Sequence, residues 1–508
     1  MKKLGLISFI SLLAIGVASC SFIKPPEKVF EKTELEYCYE DYANNSAYGI
    51  SSCPTHGDVN ILVVPIWFTD SNTYILHETN KNNVLQDIDA SFNAKKGELG
   101  WHSVSSYFEE ESKGILKLNA VVSEWYNAGT NLDYYSRGYN KTAVLVDEVT
   151  TWFFANHSYE RTYFDADRNG YLDAVVLIYG GPDYQVLNSK NKSNLWAYTS
   201  WLTAEAHYPN IGSPEPNVFM WASYDFMYGQ SVVYERAGTD YRHGDTRYTS
   251  IDTHTFIHEM GHVLGLEDYY DYSDLQYTPA GGFSMQDYNV GGHDPYALMA
   301  YGWANPIIPT VSATVTISDF QSSHDVILLA NHEVNSPFDE YMLLELYTPT
   351  GLNQFDSAHQ YYNAYPLGSS SSMIRLWHVD ARLLYVRNSS RISDEDLTTN
   401  PSTKLGYVLH AFSNTYDKDR GSILSRIDTD YINYNILQLI RNDTKATYEP
   451  TDVLTSAVMF GAGDTYDQKT FSRQFVKKDV MNDGKALGWK FVVNEVSSTS
   501  ANISLYKI

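Results

Sequence analysis

The sequence predicts an α+β protein that ends in a β-sandwich-like region, and three features of the chain point there. Up to about residue 305, continuous apolar runs of strand length alternate with segments of helical period. Around Trp303, Ala304, Asn305 and Pro306 the helical period fades. Beyond it, short β-prone runs at 314–317, 325–329, 341–347, 373–379, 405–411, 489–493 and 501–506 are separated by turn residues. A chain of 508 residues has room for two to four domains at ~100–200 residues each.

The elements follow in order. Met1, Lys2 and Lys3 open onto an apolar stretch over residues 4–17 that ends in Ala18, Ser19 and Cys20. This is a secretory signal, too short for a stable membrane span. Its close, an aliphatic residue and two small residues before a cysteine, reads as a lipoprotein signal peptide over 1–20 with Cys20 lipidated. The expectation is an exported protein held on a bacterial membrane at the cell surface through that cysteine. Residues 21–56, with Pro25 and Pro26 and then a polar stretch, read as a tether. A first domain is expected over 57–305 and a β-rich region over 306–508. Within the first, 59–68 and 174–179 read as strands buried on both faces, 115–122 as a further strand, and 82–94, 102–112 and 140–155 as helices.

Charge and cysteine content narrow the function classes. Asp and Glu total 61 against 36 Lys and Arg, a formal net charge of -25, which argues against a nucleic-acid binder and suits a protein that collects divalent cations. Three cysteines cannot form a disulfide scaffold. With Cys20 used for lipid, Cys38 and Cys53 are expected to close one disulfide in an oxidising space.

The chemistry concentrates between His254 and Asp268. His258, Glu259 and His262 form H-E-x-x-H, and on a helix positions i and i+4 share a face, so both imidazoles reach one cation. Nitrogen ligands with an open fourth site suit catalytic zinc, and Glu259 lies beside that face as a base. Ser250 and Asp252 are candidate N-caps. Gly265 stands where such a helix stops in a left-handed residue, and the chain then returns toward the metal with Asp268. Spacing favours Asp268 as third ligand, with Asp271 and Asp274 as competitors. His254, one turn earlier, reads as a packing histidine. Downstream, Met285 is the candidate for a methionine turn under the metal, and Tyr288 for a hydrogen bond to an oxyanion.

A second cation is expected at 165–173, where Asp165, Asp167, Asn169 and Asp173 place oxygens at positions 1, 3, 5 and 9 with Gly170 at 6. That is the start of a calcium loop, but Val176 stands at position 12 and a strand follows, so it is not an EF-hand.

Together these residues resemble the immune inhibitor A family of secreted bacterial metallopeptidases. The resemblance rests on the acidic glycine loop running into an apolar strand (164–179), on 258–268, and on Gly282, Phe283, Ser284 and Met285 leading to Gly302 and Trp303. Weaker echoes are 59–70 and 376–380, and the likeness covers most of 57–380. It implies that 57–305 is a zinc metallopeptidase domain of metzincin-like fold, a twisted mixed sheet plus an active-site helix. His258, His262 and Asp268 would be its ligands and Glu259 its base. The chain differs in its lipobox, in the short segment before the first domain, and in Tyr179, Gly180, Gly181 and Pro182 where relatives often carry His-Ala-Gly-Pro. The expected activity is that of a zinc endopeptidase, monomeric, hydrolysing extracellular proteins or peptides with one zinc and a structural calcium. The rival expectation is a catalytically inactive surface lipoprotein that binds glycan or host protein through its β-rich C-terminal region.

Overall fold

The computed structural model describes residues 24–43, 53–75, 78–183, 194–202, 207–228, 251–272, 279–358, 368–386, 397–402, 407–415, 433–443 and 456–508. The expected signal over 1–20 and the lipidated Cys20 lie outside these. Among the described residues no helix is long and apolar enough to cross a membrane. The architecture is mixed α+β with several sheets.

The first sheet explains the apolar runs. Its strands are β1 (Gly57–Trp67), β2 (Leu116–Val122), β3 (Tyr126–Asn127), β4 (Val175–Tyr179), β5 (Tyr198–Trp201) and β6 (Val218–Ser223), in the order β2-β1-β4-β6-β5 with β3 also beside β1. Every pairing is parallel except β5 with β6. Val63 of the central β1 pairs with Val122 on one side and Val176 on the other. Because strand side chains alternate, its odd and even positions serve different cores. Val59, Ile61 and Val63 face helices α2 (Glu78–Asn93) and α3 (Val104–Glu111), through Val84, Ile88, Phe92, Tyr107 and Phe108. After the short helix α4 (Leu132–Tyr135) comes α5 (Tyr139–Asn156), whose Leu145, Val149 and Phe153 cover Leu62, Val64 and Ile66 on the opposite face. A strand covered on both sides reads as continuous apolar sequence, as β1 does. Helix α3 starts on a capping box in which Ser103 Oγ accepts the Ser106 N–H at 3.1 Å.

The C-terminal half is antiparallel. Strands β7 (Ala313–Ser318), β8 (Val326–Leu329), β9 (Glu340–Tyr347), β10 (Met373–Asp380), β11 (Leu383–Val386), β12 (Leu397–Thr398), β13 (Tyr407–His410), β14 (Leu437–Leu439), β15 (Thr465–Asp467), β16 (Trp489–Val496) and β17 (Ser500–Lys507) form sheets β14-β10-β9-β8, β12-β11-β13 and β15-β16-β17-β7. Met342, Leu344, Ile374 and Leu376 from one sheet share a core with Val315, Phe491, Ile503 and Leu505 from another. All eight residues of β9 are buried because its other face is also covered. Tyr341, Leu343, Trp377 and Val379 belong to the same core as the first sheet and its helices. The two halves divided at 305 therefore share one hydrophobic interior.

The expected tether over 21–56 is corrected over residues 24–43 and 53–56, the part of it that is described. Thr314 N–H donates to Pro26 O, Lys28 N–H to Thr314 O and Thr33 N–H to Pro306 O, and Lys32 pairs with Asp325 at 2.8 Å. Helix α1 (Tyr39–Ala43) then buries Tyr39 and Tyr42 against Phe338 and His410. Aromatic rings with partners some three hundred residues away are core, whatever the polarity of the flanking sequence.

The expected disulfide is corrected as well: Cys38 and Cys53 are free thiols. Cys53 is wholly buried, its N–H on Val263 O at 3.0 Å. Burial pushes the Cys38 thiol up to about 11 and that of Cys53 well above the ordinary value, so neither is a ready thiolate for disulfide exchange. Denaturing the protein without reductant should let iodoacetamide modify the peptides containing Cys38 and Cys53. Recovery of the two as one disulfide-linked peptide by mass spectrometry would contradict this account.

Candidate metal centre

Helix α6 (His254–Val263) carries the centre. Its N-cap is Thr253, not the predicted Asp252, although Asp252 Oδ1 accepts the His254 N–H at 3.0 Å and so satisfies one of the donors a helix start leaves over. The other predicted cap, Ser250, lies outside the described residues. Phe256, Ile257, Met260 and Val263 anchor the helix in the main core, and the Phe256 ring stacks on Phe92 at 5.5 Å. That leaves His258 and His262 on the opposite side.

The helix ends at Gly265 for two physical reasons. Its φ is +119°, and a Cβ there would stand 2.0 Å from the Tyr39 ring. Glycine alone accommodates both the turn and the close approach. The reversal returns Asp268, whose Oδ1 lies 2.9 Å from His258 Nε2 and 3.1 Å from His262 Nε2, while the two Nε2 atoms are 3.2 Å apart. Bonds of about 2.0–2.2 Å to zinc in a tetrahedron put ligand atoms about 3.3 Å apart, so these three side chains fit a zinc ion closely.

The backbone fixes which nitrogen each imidazole offers. His258 Nδ1 meets Met285 O at 2.8 Å, and His262 Nδ1 meets Leu266 O at 2.8 Å. A carbonyl only accepts, so both Nδ1 atoms carry the proton and both Nε2 lone pairs point at the shared locus. Burial would raise the Asp268 pKa, but His262 and His258 hold it well below the usual carboxylate range. Burial would lower that of His262, yet Asp268 brings it up to about 9. Groups that hold one another by shared protons are those from which an arriving cation displaces protons.

Glu259, the adjacent residue, is buried, and burial raises its pKa. The Thr199 hydroxyl on β5 lies 2.9 Å from its backbone O and 3.3 Å from its Oε2. The expectation for His254 stands: its Nε2 lies 2.7 Å from Asn289 O, and burial, with His258 beside it, pushes its pKa down to about 3. Met285 is fully buried, and its carbonyl orients His258. Tyr288 is half-buried and stacks on Tyr270 at 5.0 Å, whose ring is 6.4 Å from that of His258. Among the described residues Asp268, not Asp271, joins the two histidines, and Asp274 lies outside them.

Several contributors carried no local sequence signal. A Cβ on Gly261 would stand 2.2 Å from Gln286 Oε1, so the glycine inside H-E-x-x-H makes room for Gln286. Gln286 Nε2 donates to His258 O at 3.2 Å, and His293 Nε2 lies 3.2 Å from its Oε1. Glu111 takes the His293 N–H at 2.6 Å and stands 2.5 Å from His293 Nδ1. From the C-terminal half, Arg375 Nη1 donates to Phe283 O at 3.0 Å while its Nε pairs with Glu345 at 2.9 Å. Thr199, Glu111 and Arg375 are far in sequence from one another and from the Gln286–His293 stretch, and only the fold brings them here.

The acidic loop assembles too. Carboxylate oxygens of Asp165, Asp167 and Asp173 lie within 4.8 Å of one another. Asn169 Oδ1 accepts the Tyr171 N–H at 2.8 Å and its Nδ2 donates to Asp167 at 2.9 Å. Gly170 turns at φ +87°, where a Cβ would meet Asn210 N at 2.6 Å. Burial, with Asp165 beside it, pushes Asp167 up to about 6, and burial pushes Asp173 well up.

His262→Ala and Asp268→Ala should each abolish stoichiometric zinc, whereas Asp271→Ala should keep it, as measured by metal analysis after dialysis. Zinc loss in Asp271→Ala with retention in Asp268→Ala would displace the third ligand. Compared with known proteins, the chain matches no family model and no curated sequence.

Proposed function

We propose that the protein is a zinc-dependent endopeptidase of metzincin-like fold, akin to the immune inhibitor A family, exported and held at the bacterial cell surface through a lipidated Cys20. The observation that carries this reading is the convergence of His258 Nε2, His262 Nε2 and Asp268 Oδ1, with the buried Glu259 carboxylate next in sequence to the first. Among the described residues three ligand atoms converge, and three protein ligands with an open position is the catalytic pattern, whereas structural zinc usually takes four.

Zinc held by His258, His262 and Asp268 would supply Lewis acidity toward a water and the scissile carbonyl. Glu259 takes the proton at its carboxylate and returns it to the leaving amine. Burial suits it to that exchange by raising its pKa, and Thr199 keeps the carboxylate from turning away. Tyr288 is the candidate donor to the developing oxyanion. An extended substrate would add to β5, the antiparallel edge strand beside α6. Its neighbour β6 is interior to the sheet and offers no free edge. Main-chain pairing to an edge strand binds peptides with little regard to sequence.

Calcium at 165–173 is part of the same reading, with a structural role. Asp165, Asp167 and Asp173 supply the charge, and the loop leads straight into β4, the neighbour of β1.

The chain lacking residues 1–20 should cleave denatured proteins, and Glu259→Ala should keep its zinc while losing ~10²-fold or more in rate. Full activity in that variant would refute the mechanism. Calcium at a hundredfold excess over Kd should stabilise the wild type by about 2.7 kcal/mol, seen as a higher melting temperature. The Asp165→Ala/Asp167→Ala double variant should show no such rise, and an undiminished response there would place the ion elsewhere.

A further inference from the structure

The two oxygens of Asp268 have different partners. Oδ1 faces His258 and His262 at 2.9 and 3.1 Å. Oδ2 accepts the hydroxyl of Tyr272, four residues on. Tyr272 is 57 % exposed and its ring lies against Tyr270, so an outward-facing residue sends its hydroxyl inward to an aspartate that is only 7 % exposed.

The consequence follows from carboxylate chemistry. An aspartate binds a cation through one oxygen or chelates it through both. Chelation by Asp268 would fill the position that an open zinc site keeps for water and substrate. A hydroxyl already donating to Oδ2 opposes the rotation that chelation needs. A hydrogen bond to an ionised acceptor is among the stronger ones available to a side chain.

We propose that Tyr272 is a positioning residue that holds Asp268 to one-oxygen ligation and so keeps the fourth metal position open. This rests on the zinc reading above, but it concerns how the metal is held, not what is cleaved. Tyr272 itself touches no reacting atom in this account.

Cobalt(II) substituted into the protein reports coordination number through its visible spectrum, independently of peptidase activity. The wild type should show the intense bands of a four-coordinate ion. Tyr272→Phe, which keeps the ring and removes the hydroxyl, should show the weaker bands of a five-coordinate ion, with zinc affinity changed ~10–100-fold in chelator competition, the usual consequence of losing a hydrogen bond to a ligand. Tyr272→Leu, which also lacks the hydroxyl, should give the same cobalt spectrum as Tyr272→Phe. A wild-type spectrum retained in both variants would overturn the proposal and leave the zinc reading intact. Copper(II) substitution giving a phenolate-to-copper band that disappears in Tyr272→Phe would also overturn it, because Tyr272 would then be a ligand itself. A wild type that takes up no cobalt would overturn both. Cobalt uptake with the expected shift but no cleavage of any protein would support Tyr272 and refute the peptidase assignment.

Discussion

Everything at the centre depends on the chain turning back on itself within six residues of His262. The turn is made at Gly265, in a conformation that side chains rarely adopt and under a ring that leaves no space for one. Tyr39 supplies that ring, so the segment ahead of the first strand is part of what shapes the metal locus. Without the reversal, the two imidazoles would face a cation with no carboxylate opposite them. With it, three ligand atoms stand at separations close to those zinc imposes.

A second layer holds these three side chains in place. Carbonyls of Met285 and Leu266 fix the two tautomers, and Gln286 passes over the small face of Gly261 to reach the helix backbone. Behind Gln286 stand His293 and Glu111, both buried. The loop that presents Met285 is tied in turn to β10 by Arg375, a buried guanidinium matched by Glu345. A buried charge of this kind is costly to leave unpaired, so removing either partner should disturb the loop more than truncating a neutral side chain would. The C-terminal sheets thereby act on the centre through one face of β9 and β10, while their other face shares a core with the sheet of β7, β16 and β17.

What could be read from the sequence was local. The i, i+4 histidines, the glycine stop and the returning aspartate lie within eleven residues; helix geometry relates the two histidines, and the glycine turn returns the aspartate. The apolar runs of β1 and β4 announced a sheet covered on both sides, and the antiparallel texture after 305 was equally plain. The misreadings were nonlocal. Residues 24–43 looked polar enough to be a tether because Tyr39 and Tyr42 find their partners, Phe338 and His410, far along the chain. Cys38 and Cys53 suggested a disulfide from compartment chemistry, whereas the fold leaves both as free thiols, Cys38 half-buried and Cys53 buried. Thr199, Gln286, His293 and Tyr272 had no pattern to betray them, since each matters only through what the fold sets beside it.

The central claim is that one cation sits among His258, His262 and Asp268. Diffraction from crystals of the zinc-loaded protein, recorded on both sides of the zinc absorption edge, tests it most directly. The account predicts a single strong anomalous peak about 2.0–2.2 Å from His258 Nε2, His262 Nε2 and Asp268 Oδ1, with Asp268 Oδ2 still on Tyr272. A zinc peak at other side chains, or none with these three placed as described, would contradict it.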